Sequence, residues 1–131
     1  MAATLAQKLQ IRPGRTVALL RAPDRHRPLL GAIAETTAGA DVVLLYSRSR
    51  AQLERDAGMA IAALHEGGVL WICYPKLSAR TPSDMSREAC RDAMAGRGWS
   101  PVTQIAIDDT WSALRFRPSR DVGRRSNLPP K

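Results

Sequence analysis

The sequence predicts a three-layer α/β domain with a mostly parallel sheet, and three observations carry that prediction. Asp41-Val42-Val43-Leu44-Leu45-Tyr46 is apolar at every position after the first, as a strand covered on both faces must be. Leu53, Ala57, Ala60, Ile61 and Leu64 then recur at helical spacing, and a second apolar run, Val69-Leu70-Trp71-Ile72-Cys73-Tyr74, follows Gly67-Gly68. Two strands joined by a helical crossover pair in parallel. Near the end of the chain, Val102–Ile107 and Trp111–Arg117 read as strands meeting at Asp108-Asp109-Thr110, so the sheet closes in an antiparallel hairpin.

The elements follow in order. Leu5, Leu9 and Ile11 fit a short helix closed by Arg12-Pro13-Gly14. Thr16-Val17-Ala18-Leu19-Leu20 is the first strand, with Arg21 to Pro28 as the loop at its carboxyl end. Leu29 to Glu35 fits a short helix, an edge strand, or one leading into the other. The helix after Tyr46 begins at Ser49, with Gln52 three residues on in a capping-box pattern. Pro75 to Asp84 is a loop, and Ser86 caps the helix Arg87–Ala95, with Met85 and Cys90 as a hydrophobic staple and Gly96 or Gly98 as its stop. In the last strand Leu114 and Phe116 face the core while Arg115 and Arg117 face out.

A chain of 131 residues with 44% hydrophobic and 24% charged residues can bury one core, which excludes a disordered or fibrous class. We read residues 1–118 as that domain and 119–131 as a basic, flexible tail. The apolar runs fall far short of a membrane span, and the first residues lack the basic-then-apolar layout of a secretion signal. With Cys73 in a strand and Cys90 in a helix, a cytoplasmic protein with reduced, inert core thiols is expected. Of the net charge of +8, five units arise after Trp111, from Arg115, Arg117, Arg120, Arg124, Arg125 and Lys131 against Asp121. Such a segment can attract phosphate backbones, so these five arginines are the candidate nucleic-acid contacts, weighed against a simply solvated end.

Ligands of parallel sheets sit beyond the carboxyl ends of the strands. Arg21, Arg48 and Lys76 follow three such ends, and Ser49 opens a helix whose first N–H groups point the same way. These four are the candidate ligand-binding residues, and a small anionic or nucleotide-like ligand is the class they suit. The alternative is that the cations serve only solubility. Catalytic residues and cofactor are not specified by these positions.

Other chemistries find little support. The sequence holds no phosphate loop of Walker type, no Gly-x-Ser-x-Gly elbow and no His-Glu-x-x-His pair. His26, His65, Cys73 and Cys90 stand at no metal-ligand spacing, so no metal is expected. His26 has Asp24 beside it as an acid–base partner, but its arginine neighbours fit a solvated loop. Asp108-Asp109 suits a hairpin turn, whose local hydrogen bonds favour aspartate, as well as a cation or base role. Trp71 and Trp111 fit core aromatics better than stacking platforms.

Leu5 to Gly14, Ala40 to Leu45, Leu70-Trp71-Ile72-Cys73-Tyr74-Pro75-Lys76 and Ile107 to Phe116 together resemble the bacterial domain-of-unknown-function family 3052. The likeness spans nearly the whole chain before the tail and implies a Rossmann-like domain. That family brings no established activity to carry over. The order of elements also resembles a shortened class I methyltransferase core, which implies binding of S-adenosylmethionine. That resemblance breaks at Leu20-Arg21-Ala22-Pro23-Asp24, where those enzymes carry a glycine turn that admits the cofactor. Gly96-Arg97-Gly98, the one Gly-x-Gly, follows a helix and precedes a strand. A degenerate methyltransferase and a nucleic-acid-associated protein are therefore the alternatives to an anion-binding module.

Overall fold

Residues 4–31, 33–76 and 85–121 are described by the computed structural model. In chain order they form α1 (Leu5–Lys8), β1 (Thr16–Leu20), α2 (His26–Leu30), β2 (Ala34–Glu35), β3 (Ala40–Tyr46), α3 (Arg50–Ala63), β4 (Leu64–Pro75), α4 (Arg87–Ala95), β5 (Trp99–Ala106) and β6 (Trp111–Pro118). The strands make one sheet in the order β2-β1-β3-β4-β6-β5. The first four are mutually parallel, and β6 runs antiparallel to both its neighbours. This is the mostly parallel, three-layer arrangement that the two-faced apolar strands require.

The alternation of side chains splits the core in two. Val43, Leu45, Leu70, Ile72, Leu114 and Phe116 pack against the Leu53, Ala57 and Ala60 face of α3 and against Cys90 and Met94 of α4. Val42, Leu44, Trp71, Cys73, Trp111 and Ala113 face the other way, toward Leu9, Ile11 and Leu30. Leu29–Glu35 resolves into the third reading, a helix leading into a two-residue edge strand.

Helix ends follow their capping chemistry. Ser49 and Ser86 each accept from the backbone N–H three residues on, at 3.1 and 3.0 Å. Gln52 completes the first cap differently from a standard box, since its Oε1 accepts from the N–H of Arg48 rather than of Ser49. Met85 and Cys90 are both fully buried in the core, as a staple demands.

Three boundaries differ from the sequence reading: α2 begins at His26, inside the expected loop Arg21–Pro28, and the starts of β4 and β5 move as well. Strand β4 begins at Leu64, directly from α3, because Leu64 pairs with Ala40 before a register shift brings Val69 opposite Val42. Gly67-Gly68 therefore lies inside a bulged strand rather than before it. A Cβ on Gly68 would sit 2.9 Å from the carbonyl oxygens of Asp41 and His65, so only glycine lets the bulge close. Strand β5 starts at Trp99 instead of Val102, extended by pairing of Trp99 with Pro118 and of Ser100 with Arg117.

Candidate functional site

The carboxyl ends of β1, β3 and β4 lie on one edge of the sheet, and the start of β6 joins them, with Pro75 opposite Trp111. That edge therefore gathers Arg21, the Tyr46-Ser47-Arg48-Ser49 segment, Lys76 and the turn Asp108–Thr110. Parallel neighbours β1 and β3 meet where the chain's winding reverses, since β1 sends the chain out to β2 and β3 takes it back across. Ligand crevices of α/β sheets form at such points.

Beside that point, a buried side-chain network covers the end of β3 and the start of β6. His26, at the first position of α2, is 1% exposed. Its Nδ1 lies 2.8 Å from the Tyr46 hydroxyl and its Nε2 lies 2.9 Å from Asp108 Oδ2. Tyr46 and Trp111 pack edge-to-face with ring centroids 5.1 Å apart, and the imidazole stands edge-on to Trp111 at 5.9 Å. The expectation for His26 is corrected on both counts: it is buried rather than solvated, and its acid partner is Asp108, not Asp24.

Protonation states follow from the surroundings. Burial pushes the Asp108 carboxyl up, but the backbone N–H groups of Trp111 and Thr110 and the His26 ring outweigh it, leaving a net lowering. Those N–H groups donate to Asp108 Oδ1 at 2.7 and 2.8 Å. Burial raises the Tyr46 hydroxyl well above its ordinary value, so it stays protonated. An ionised Asp108 can only accept, so His26 Nε2–H donates to it. The order resembles a nucleophile–base–acid relay, yet Tyr46 is 2% exposed and offers no attacking atom to solvent. The network ties α2 to the end of β3 and to the β5–β6 turn.

One consequence is acid sensitivity. Because the Asp108 carboxyl is held below its ordinary value in the folded chain, its contribution to stability is complete above that value. It is lost as pH falls through the depressed one. Asp108→Asn is expected to flatten the acid limb of a Tm-against-pH curve while lowering Tm at neutral pH.

The candidate ligand residues share the edge but not one role. Arg21 has φ 62°, a left-handed conformation rare outside glycine, and its guanidinium reaches Asp56 of α3, with Nε 2.7 Å from Oδ2. Asp56 is buried, which ties Arg21 to the helix. Arg48 holds its guanidinium 5.0 Å from the centre of the Trp111 ring. Ser49 spends its hydroxyl oxygen on the α3 cap. Lys76 is half-buried and fixed by its backbone N–H donating to the Thr110 carbonyl at 2.7 Å. Ser47, between Tyr46 and Arg48, is wholly buried, and its Oγ has no hydrogen-bond partner among the described residues.

Arg115 and Arg117 are half-buried on β6, and Arg120 is exposed beyond it. Arg124 and Arg125, with the rest of the tail after Asp121, lie outside the described residues. No group of three or more His, Cys, Asp or Glu side chains among the described residues is placed to hold a metal ion. No helix there is long and apolar enough to cross a membrane.

Cys73 and Cys90 are buried free thiols in the two opposite halves of the core. Burial raises both, Cys90 to about 12. Neither is expected to react with Ellman's reagent in the native protein, and both should react at once in urea.

No family model matches the sequence, and no curated protein matches it. Solved structures do. DhpI in complex with SAH superposes with a TM-score of 0.55 at 12% identity, over 87% of this chain and 82% of that one. The B. subtilis tRNA methyltransferase TrmK gives 0.53 at 10% identity, over 93% and 68%. The pyocyanin biosynthetic protein PhzM gives 0.59 at 11% identity over 88% of this chain, which spans about half of PhzM. At such identities the likeness establishes a methyltransferase-like Rossmann fold.

The carboxyl edge fits S-adenosylmethionine poorly. No glycine lies between Leu20 and Gly31, Arg21 takes the left-handed position with a long side chain, and His26 is packed against Tyr46 at the end of β3.

Proposed function

We propose that this chain is a cytoplasmic member of domain-of-unknown-function family 3052 that binds a small anionic, nucleotide-like ligand on the rim of the carboxyl edge, without catalysing a reaction. Arg48 and Lys76 supply the charge, the start of α3 at Ser49 adds backbone donors, and the Tyr46–His26–Asp108 network forms the floor. Arg21 acts in this reading through α3, holding it against the edge. The observation that carries the reading is the parallel register of β1, β3 and β4, with Leu19 opposite Leu44 and Leu44 opposite Trp71. That register brings the residues after each strand to one side of the sheet.

The test is an NMR titration with ADP, followed at the Trp111 indole N–H because Arg48 stacks on that ring. A saturable shift is expected, weakened about tenfold or more in Arg48→Ser/Lys76→Ser, the loss of one to two charge-assisted contacts. An unmoved Trp111 signal, or an undiminished one in the double variant, would remove the rim site.

A second reading is favoured by the fold itself: a degenerate methyltransferase. S-adenosylmethionine would supply the methyl group, and His26 would have to leave its place between Tyr46 and Asp108 to admit it. Saturable binding of S-adenosylhomocysteine to the native chain would favour that reading over ours.

A further inference from the structure

At the end of the sheet remote from the His26 network, where β4 and β5 begin and β6 ends, a cavity of about 390 Å³ opens. Its apolar wall is Ile61, Leu64 and Trp99, and its cationic wall is Arg115, Arg117 and Arg120. The backbone of Gly67 and Gly68 lies against it. Gly67 has φ +81°, and Gly68 has no room for a Cβ, so the bulge that shapes this wall is fixed by packing. Glu66 and Asp121 also line the cavity, leaving the guanidinium groups in excess. The pair between Arg120 Nε and Asp121 Oδ1 is long, 3.9 Å, and exposed, so a stronger anion can replace it at little cost.

We infer that this cavity is a ligand site separate from the carboxyl edge, and that it takes a nucleoside phosphate. Three features select that class. The volume lies within the range of small-molecule pockets. Trp99, half-buried beside Ile61 and Leu64, offers an aromatic surface to a planar base, whereas an inorganic anion would leave that wall wet. Arg115 and Arg117 alternate with Leu114 and Phe116 along β6, so they leave the strand on the face opposite the core that Trp99 joins, and with Arg120 they line the cavity from across the end of the sheet.

The three tryptophans make the test specific, because Trp71 and Trp111 are buried elsewhere and only Trp99 lines this cavity. The full chain is titrated with AMP, inorganic phosphate and a short single-stranded oligonucleotide, and the indole N–H signals are followed by NMR. The expected result is a saturable AMP shift at Trp99, weakened about tenfold or more in Arg117→Ser/Arg120→Ser and unchanged in Arg48→Ser. No shift at Trp99, or a shift confined to Trp111, would overturn the inference; the second of these outcomes would leave the rim site standing. Phosphate binding as tightly as AMP would overturn the role of the aromatic wall. Tighter, steeply salt-dependent binding of the oligonucleotide would overturn the free nucleotide in favour of a nucleic-acid strand.

Discussion

Trp71→Ala should cost about 3–5 kcal/mol, the range for emptying a large aromatic from a core. Trp71 lies in β4, between Leu44 of β3 and Arg115 of β6, and is 1% exposed. Its indole Nε1 donates to the Leu9 carbonyl at 3.0 Å, which ties the N-terminal turn to the centre of the sheet. Alanine would leave a void and an unmet carbonyl together. Domains of this size have total stabilities of about 5–15 kcal/mol, so the variant should unfold at a much lower urea midpoint or fail to fold. Trp71→Phe keeps most of the apolar volume and loses the hydrogen bond, and should cost about 1–2 kcal/mol. A urea midpoint for Trp71→Ala close to that of the wild type would show that the packing around β4 is not as described.

His26→Ala is expected to cost about 2–4 kcal/mol, through the unmet partners and the space left behind. The Tyr46 hydroxyl would lose its imidazole partner in a buried setting, and Asp108 would lose the donor on Oδ2 while keeping the two backbone donors on Oδ1. Tyr46→Phe removes one bond at the edge of the network and should cost about 0.5–1.5 kcal/mol. The two variants separate a connected network from a collection of independent contacts. If His26→Ala costs no more than Tyr46→Phe, the imidazole is not the link between β3 and the β5–β6 turn.

The layers and most of the strands were legible because their signals are local. A strand buried on both faces must be apolar throughout, which marks Val42–Tyr46 and Val69–Tyr74, and serine caps mark both longer helices. The start of β4 was not legible in the same way. Leu64 completes the helical spacing of Leu53, Ala57 and Ala60, and glycine pairs usually punctuate. Only the pairing of Leu64 with Ala40 and the closeness of Gly68 to the Asp41 carbonyl turn that segment into strand.

At the edge, the convergence of Arg21, Arg48 and Lys76 followed from strand direction alone. What each cation touches did not. Arg21 meets Asp56, 35 residues away, and the signal was a carboxylate adjoining Ala57 on the buried stripe of α3. His26 meets Asp108 across 82 residues, and no local spacing announces that contact. The histidine at a strand's carboxyl end and the Asp108 turn were each visible, and it took the sheet order to join them. The cavity beside Trp99 depends on the β4 bulge and was beyond local reading for the same reason.

The claim on which the account turns is that Tyr46, His26 and Asp108 form one closed network over the carboxyl end of β3 and the β5–β6 turn, leaving ligands to the rim. The measurement that meets it head-on is an NMR titration of the native chain with S-adenosylhomocysteine, following the His26 imidazole and the Trp111 indole. The account predicts that neither signal moves at millimolar ligand. A saturable shift of both, with His26 losing its Asp108 bond, would show a network that opens to the cofactor and would contradict it.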